Sequence, residues 1–262
     1  MDLETPAPLL SIVSVVKDDP EGLHLTLNSV LPYLDDRTQV TVIDGSGDAE
    51  ETMRVVSEYG SHRVDLRWST PAGVYPAMNL GLSWARGEYV LFLNAGDALH
   101  DPAALITVLA TLERDAPRWL VARVAFADSS GRVVVPAQFD YEVEQRHHFT
   151  RGVFPPHQGT VVRRQDLLAL GGFDESYRIT ADYKAALQLS TIAEPILSDV
   201  VLATFHEGGV SGTHWQDSMK EFRRARQEVY GLQGWPRVRD DVVSAVQYSK
   251  IFAARALRRV RT

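Results

Sequence analysis

Acidic side chains stand where three apolar stretches of the sequence end, namely Asp18, Asp44 and Asp97. Carboxylates gathered at the open edge of a sheet can hydrogen-bond a nucleoside base and ribose. They can also hold a divalent cation such as Mg²⁺ or Mn²⁺, because these ions favour oxygen ligands. Aspartates equally cap turns in segments such as DGSGD and NAGD, so the spacing alone leaves both interpretations open for Asp44 and Asp97.

A further carboxylate, Asp182, lies in the segment ITADY, in the first turn of a helix predicted over 180–191. An ionised carboxylate within about 2.6 to 3.2 Å of a hydroxyl can accept its proton as a general base. The alternative is an aspartate that stabilises the helix dipole, a contribution of about 0.3 to 1 kcal/mol.

Two isolated histidines are weaker candidates. His157 could bind substrate hydroxyls and His206 could complete a metal shell, but each could equally be an ordinary hydrogen-bonding residue. The glycine-rich segment 208–211 could form a flap over a ligand, or it could simply mark a turn.

The composition excludes several kinds of chemistry. There is no cysteine, which excludes disulfides, thiolate metal sites and cysteine nucleophiles. A net charge of −7 leaves no broad basic surface, so nucleic acid is not expected as a partner. Neither a GxGxxG segment after the first strand nor a GxxxxGK[ST] segment occurs, which argues against a dinucleotide fingerprint or a P-loop.

Alternating strand and helix patterns predict the elements that position these residues. Apolar strand patterns at 9–16, 39–44, 64–68 and 88–93 each precede a segment with helical spacing. Such βα units imply a parallel sheet covered on both faces, with ligands bound beyond the carboxyl ends of its strands. The second half is predicted to be α+β, with a hairpin over 119–137, a strand at 157–163 and the helix at 180–191.

We therefore predict an α/β fold with a Rossmann-like, mostly parallel sheet. The first domain spans 1–214, divided into a parallel α/β half at 9–115 and an α+β half at 116–214, and a helical extension follows at 215–262. A signal peptide begins with positive charges, whereas this sequence has the acidic residues Asp2 and Glu4 near its start. No apolar run reaches the length of a membrane span. The expected location is cytoplasmic.

The end of the chain is basic. Five cations and no acidic residue lie in 250–262, interleaved with Ile251, Phe252, Leu257 and Val260. This pattern is consistent with a solvated helix end whose cations suit the C-terminal dipole. Alternatively, the segment rests on anionic lipid as a peripheral membrane contact.

Six segments together resemble glycosyltransferase family 2. They are SIVSVVKDDPEG, VIDGSGD, GVYPAMNLGLSWARGEYVLFLNAGD, HQGTVVRR, GGFDESYRITADY and FHEGGVSG. They follow the family order over about 10–212, and the branch they resemble most includes colanic-acid-type fucosyltransferases and other bacterial surface-glycan or glycolipid transferases.

The resemblance implies a GT-A fold, in which 9–115 is the nucleotide-sugar-binding half and 116–214 the acceptor or catalytic half. It also implies a nucleotide-diphospho-sugar donor, Mn²⁺ or Mg²⁺, and transfer of the sugar with inversion to a glycan or lipid-linked acceptor. Asp182 matches the family aspartate that deprotonates the acceptor hydroxyl, and His157 falls on the acceptor side. The residues expected to bind the nucleotide-sugar are Lys17, Asp18, Asp44, Gly45, Ser46, Tyr75, Asn79, Asn94, Ala95, Gly96 and Asp97.

Two positions depart from the family pattern. Asn94-Ala95-Gly96-Asp97 stands where the family has Asp-x-Asp, which leaves Asp97 as the carboxylate that would ligate a metal, with His206 as a second candidate ligand. Pro76 stands where related sequences often carry an aspartate that contacts the donor sugar. Mg²⁺ usually keeps several waters, so one carboxylate with diphosphate oxygens is compatible with a metal.

Two other functions compete with sugar transfer. A sugar nucleotidyltransferase on a related sheet would need a first loop rich in Gly and Arg or Lys, which Lys17-Asp18-Asp19-Pro20 does not provide. The second is a non-catalytic sugar-nucleotide or glycan-binding partner, against which the retention of carboxylates at 44, 97 and 182 argues.

Overall fold

A computed structural model describes residues 7–60, 63–138, 140–147, 149–150, 153–206 and 215–259, without the side chains of 215 and 251–259. Its strands are β1 Leu10–Val16, β2 Thr38–Asp44, β3 Val64–Trp68, β4 Tyr89–Phe92, β5 Ala98–Leu99, β6 Trp119–Ala127, β7 Val133–Val134, β8 Thr160–Arg163 and β9 Ile196–His206. Its α-helices are α1 Pro20–Val30, α2 Glu50–Glu58, α3 Val74–Trp84, α4 Pro102–Asp115, α5 Tyr141–Arg146, α6 Arg164–Ala169, α7 Ala181–Ile192, α8 Trp215–Tyr230 and α9 Gly234–Arg259.

The strands of the described residues form one nine-stranded sheet in the order β3-β2-β1-β4-β8-β6-β9-β5, with β7 on β6. The pairs among β1 to β4 are all parallel, as the βα rhythm predicts. Because Val16 pairs with Asp44 in the parallel register, β1 and β2 end side by side. The carboxyl edge of this half therefore gathers the segments that follow β1, β2 and β4.

Helices cover both faces of the sheet, so the fully buried strands have apolar side chains on each side. Leu23 and Leu27 of α1 pack with Leu105 of α4 against one face. Met78 of α3 and Leu187 of α7 belong to the cluster on the opposite face. Asp19 and Asp101 begin α1 and α4, since each side chain accepts a backbone N–H of the first turn.

The second half differs from the prediction in its details. The strand expected at 157–163 begins with a 3₁₀ turn, His157–Gly159, and only Thr160–Arg163 is extended. The second hairpin strand shortens to Val133–Val134. Strands β5 and β9 were not predicted. Strand β9 pairs with β6 across a shifted register, and a long-range pairing of this kind leaves no local periodicity in the sequence.

Helices α8 and α9 pack on the second half. The Phe222 ring of α8 lies 4.6 Å from the Tyr183 ring and 5.6 Å from the Phe154 ring, measured between centroids. Arg226 of α8 is buried, donates to Asp240 of α9 at 2.7 Å and reaches the Tyr183 hydroxyl at 3.2 Å. Within the described ranges, no helix is long and apolar enough to span a bilayer.

The Arg226–Asp240 pair makes α9 part of the folded structure. Its side chains are 4% and 5% exposed, so Arg226→Ala leaves a buried carboxylate without its cation. We expect a loss of about 3 to 5 kcal/mol in the free energy of unfolding, measured by urea denaturation. Arg114→Ala, which removes an exposed and solvent-screened ion pair with Asp115, should change the free energy of unfolding little. Equal losses in the two variants would contradict a structural role for the buried pair.

Candidate active site

The Asp44 carboxylate lies at the end of β2 and is only 1% exposed. Its Oδ1 accepts the Ser46 backbone N–H at 2.8 Å, whereas Oδ2 has no hydrogen-bond partner among the described residues. A buried carboxylate oxygen is costly unless it accepts a hydrogen bond. This oxygen is therefore available to an N–H group of a ligand.

The loop after β1 is joined to the loop after β2. Asp18 has a left-handed backbone, with a φ of 52°, its N–H donates to the Ser46 Oγ at 2.8 Å, and its Oδ1 accepts the Gly47 N–H at 3.2 Å. The Gly45 N–H donates to the Val16 carbonyl at 2.9 Å. These bonds bring the predicted residues 17–18 and 44–46 together, with Lys17 exposed to solvent.

Trp68 belongs to the same group and was missed by the sequence analysis. It ends β3 directly opposite Asp44, donates its indole N–H to the Ser46 carbonyl at 3.2 Å and remains 56% exposed. The strand at 64–68 had been predicted. The rule that ligands bind at carboxyl ends of parallel strands would have identified its last residue.

The 94–97 turn continues from β4 and is fixed by its neighbours. The Ala95 N–H donates to the Val15 carbonyl at 3.0 Å, and the Gly96 N–H to the Gly22 carbonyl at 3.0 Å. Gly96 has a φ of 91°, which a residue with a side chain rarely adopts. The Thr26 hydroxyl donates to the Asp97 carbonyl at 2.6 Å. The turn thus holds the Asp97 side chain at the sheet edge.

Burial raises the pKa of Asp97 to about 6, although His157, the Gln158 amide and His206 partly oppose the shift. The carboxylate is 5% exposed, and its Oδ2 accepts the Gln158 side-chain N–H at 3.2 Å. Gln158 lies in the quoted segment HQGTVVRR but was not selected. Charging Asp97 therefore costs folding free energy, which a bound cation would offset.

Asp182 lies in the first turn of α7, and three groups hold its carboxylate. Oδ1 accepts the Tyr183 N–H at 2.9 Å and lies 3.1 Å from the Tyr75 hydroxyl, which also donates to the Ile179 carbonyl at 2.6 Å. Oδ2 lies 3.3 Å from the His157 Nδ1. The structure therefore brings together Tyr75, His157 and Asp182, all of which the sequence analysis selected.

His157 lies between Asp182 and the 94–97 turn. Its Nε2 is 3.4 Å from the Asn94 side-chain nitrogen, on the opposite side of the ring from Asp182. Burial opposes protonation of the ring, but the hydrogen bond and charge of Asp182, together with the charge of Asp97, raise the pKa of His157. One imidazole ring thus separates the candidate base from the candidate metal-binding turn.

The residues present fit a divalent cation with few protein ligands. Within the ranges that the structure describes, no three His, Asp or Glu side chains form a metal cluster. However, the Asn94 Oδ1 is buried without a partner there, on the same turn as Asp97. The His206 Nδ1 donates to the Gly96 carbonyl at 2.9 Å, which leaves Nε2 as a possible ligand. Such an oxygen-rich set suits Mg²⁺ or Mn²⁺.

Asn79 does not have the free side chain that a donor contact requires. Its amide nitrogen donates to the Phe173 carbonyl at 2.8 Å and to Glu175 at 2.9 Å, and its oxygen accepts the Phe173 N–H at 2.8 Å. The observed role is to hold the loop before α7, where a cavity of about 380 Å³ also lies. The predicted flap at 208–211 falls outside the described residues.

The family model described as Glycosyl transferase family 2 matches residues 11–170. The chain belongs to this family. An uncharacterised glycosyltransferase of Mycobacterium tuberculosis is 27% identical over 222 residues, which are 82% of this chain and 80% of the relative. A PGL/p-HBAD biosynthesis glycosyltransferase of Mycobacterium bovis BCG is 28% identical over 215 residues, or 79% and 80% of the two chains.

Solved glycosyltransferase structures have the same GT-A fold as this member of family 2. Staphylococcus aureus TarS 1-349 bound to UDP matches with a TM-score of 0.64 at 17% identity, covering 93% of this chain and 72% of the other. The mannosyltransferase PcManGT from Pyrobaculum calidifontis, bound to GDP-Man and Mn²⁺, matches with a TM-score of 0.60 at 13% identity, covering 95% and 76%. The α/β fold predicted for this chain is confirmed.

The raised pKa of Asp97 predicts that Asp97→Asn stabilises the protein. The folded state holds this proton up to about pH 6 and the unfolded state only to 3.8, so wild-type stability falls as pH rises through that window. In buffer without divalent cations we expect the variant to gain about 3 kcal/mol at pH 8 and about half of that at pH 5. Asparagine can still accept the Gln158 N–H.

Chemical denaturation of both proteins at the two pH values measures the gain. Asp199→Asn, at an exposed position of β9, is the matched control and should change stability little at either pH. A gain that is absent at pH 8, or that does not shrink at pH 5, would disprove the assigned burial cost.

Proposed function

We propose that the protein is an inverting glycosyltransferase. It transfers a hexosyl or deoxyhexosyl group from a nucleotide-diphospho-sugar to a hydroxyl of a glycan or lipid-linked acceptor. The observation that supports this most directly is the Asp182 carboxylate, held one imidazole ring away from the turn that carries Asn94 and Asp97. A proton acceptor and a diphosphate-binding turn thus face one reaction space.

The group around Asp44 is suited to a nucleoside base. The free Oδ2 can accept the ring N–H of uracil, thymine or guanine, and the exposed Trp68 ring beside it offers a stacking surface. TarS has been solved with UDP-GlcNAc and PcManGT with GDP-Man, which are donors of this chemical class. Lys17 and Asp18 then lie beside the ribose and diphosphate.

Asp182 acts as the general base. Each carboxylate oxygen has two lone pairs, so Oδ2 can contact His157 and still accept the proton of an acceptor hydroxyl. Tyr75 and the Tyr183 N–H hold Oδ1, which aims the carboxylate. The acceptor oxygen attacks the anomeric carbon as the nucleoside diphosphate leaves from the opposite side. This single displacement inverts the configuration and needs no covalent sugar intermediate.

Asp97, the Asn94 amide oxygen and His206 would hold Mn²⁺ or Mg²⁺. When bound, such an ion supplies positive charge for the diphosphate that develops negative charge as it departs. His157 lies beside both carboxylates and is placed to orient an acceptor hydroxyl toward Asp182.

Asp182→Asn tests the base assignment. A thermal-shift screen of UDP-, GDP- and dTDP-sugars with Mn²⁺ first identifies the donor, since a ligand at 100 times its Kd adds about 2.7 kcal/mol to stability. The variant should keep this shift and lose about 10² to 10⁴-fold in transfer rate, because asparagine cannot take the proton.

Asp199→Asn, which makes the same chemical change on an exposed part of β9, should transfer at the wild-type rate. Wild-type transfer by Asp182→Asn would refute the base assignment. Donor binding without transfer by the wild-type protein to any acceptor tested would favour a non-catalytic binding partner instead.

The described part of α9 supports a peripheral contact with the cytoplasmic face of a membrane. Its outer face carries an exposed apolar stripe at helical spacing, formed by Trp235, Val238, Val242 and Val246. Arg239 flanks the stripe, and the sequence continues into the basic segment 250–262. The acidic residues of this helix face α8, where Asp240 and Asp241 pair with arginines. Cations and an apolar stripe on one face fit anionic lipid.

Vesicle co-sedimentation tests this contact. The full chain should bind vesicles that contain an anionic phospholipid. It should dissociate from them as the salt concentration is raised, because the attraction is partly electrostatic. Removing 250–262, or changing Val242 to Asp, should reduce the bound fraction. Equal recovery of the variants and the full chain, or equal binding to uncharged vesicles, would end the membrane proposal without affecting the proposed chemistry.

A further inference from the structure

Glu221 of α8 binds the backbone immediately before the candidate base. Its Oε1 accepts the Arg178 N–H at 2.9 Å, and its Oε2 accepts the N–H groups of Ile179 and Thr180 at 3.0 and 2.9 Å. The Thr180 hydroxyl adds a fourth hydrogen bond, to Oε2 at 3.1 Å. Three successive N–H groups that converge on one carboxylate form an anion-binding nest.

These bonds lie at the start of the helix that carries Asp182, where the N-cap residue provides no side-chain cap. Thr180 is the N-cap of α7, but its side chain makes no capping hydrogen bond to the helix. The N-terminus of a helix carries partial positive charge and unpaired N–H groups, both of which a carboxylate stabilises. Glu221 therefore binds the backbone that leads into α7 from another helix, more than forty residues away in the chain.

The same short segment is held from its other side by the active site. The Tyr75 hydroxyl donates to the Ile179 carbonyl at 2.6 Å and lies 3.1 Å from the Asp182 carboxylate. Glu221 fixes the N–H groups of residues 178–180, while Tyr75 fixes a carbonyl of the same segment. Asp182, two residues after Thr180, has little freedom to move relative to His157 once both are in place.

We propose that Glu221 is a positioning residue for the transfer reaction. By holding residues 178–180 it sets the direction of the Asp182 carboxylate, so that α8 completes the site from outside the residues matched by the family model. The inference rests on the proposed role of Asp182 as base. It also gives the C-terminal extension a catalytic purpose that is separate from membrane contact.

Attachment of α8 to the fold does not by itself explain these bonds. Phe222 and Arg226 already join α8 to Tyr183 of α7, and Glu228 binds Lys184 at 2.6 Å and the Tyr177 hydroxyl at 2.8 Å. All of these contacts act through side chains. Glu221 differs because it accepts hydrogen bonds from the backbone N–H groups of the residues that precede Asp182.

Glu221→Gln is the decisive variant, and Glu228→Gln is its matched control on the same helix. Glutamine keeps the size of the side chain but loses one acceptor oxygen and the charge. We expect kcat to fall about 10 to 100-fold, because a small misplacement of a reacting group has a cost of this size. The KM for the donor should stay within about twofold, since Asp44, Trp68 and Asp97 are untouched. Glu228→Gln should keep kcat within about threefold.

Amide hydrogen exchange provides a readout that does not depend on the donor. Exchange at residues 178–180 should accelerate in Glu221→Gln and remain at the wild-type rate in Glu228→Gln. Glu221→Asp, which restores the charge on a shorter side chain, should recover part of the lost kcat.

Three results would overturn the proposal: a kcat for Glu221→Gln within twofold of wild type, an equal fall in Glu228→Gln, or unchanged exchange at 178–180. Should wild-type protein transfer no sugar from any donor that it binds, the proposed function fails. Accelerated exchange confined to Glu221→Gln would in that case still show that Glu221 holds the backbone of residues 178–180.

Discussion

The parallel pairing of β1 with β2 on one side and β4 on the other is the constraint on which the site depends. Because the three strands point the same way, the segments that follow them meet at one edge, and hydrogen bonds such as that from Gly45 to Val16 join them. Burial of both faces beneath helices gives this pairing its stability. The loops can then hold unfavourable conformations, such as the left-handed backbone of Asp18, without loss of the fold.

Buried carboxylates are the unfavourable part of this arrangement. Asp44 has an oxygen without a partner among the described residues, and the pKa of Asp97 is raised by burial. A protein core does not retain such groups for stability, because desolvation of a charge costs more than an apolar residue in the same place. Ligands that bring N–H donors or cations relieve this cost.

The two halves of the molecule contribute different parts of the site. The parallel half supplies Asp44, Trp68 and the 94–97 turn, which are fixed by the ends of strands. Asp182 and His157 come from the second half, where the sheet becomes antiparallel at β8 and the chain no longer alternates regularly. Helix α8 packs against that half through Phe222 and binds its backbone through Glu221. The half that carries Asp182 therefore depends on more distant contacts than the parallel half.

The sequence by itself determined the βα units, the helix starts at Asp19 and Asp101 and the family, since these depend on local periodicity, capping and motif. It also selected the candidate site residues. Tertiary structure alone decided that β9 joins β6, that the Asn79 side chain is used by the loop at Phe173, and that Trp68, Gln158 and Glu221 contact the site. The physical reason is the range of the interactions. Capping and amphipathic spacing act within a few residues, whereas the hydrogen bond from the Thr180 N–H to Glu221 exists only after helices far apart in the chain have packed.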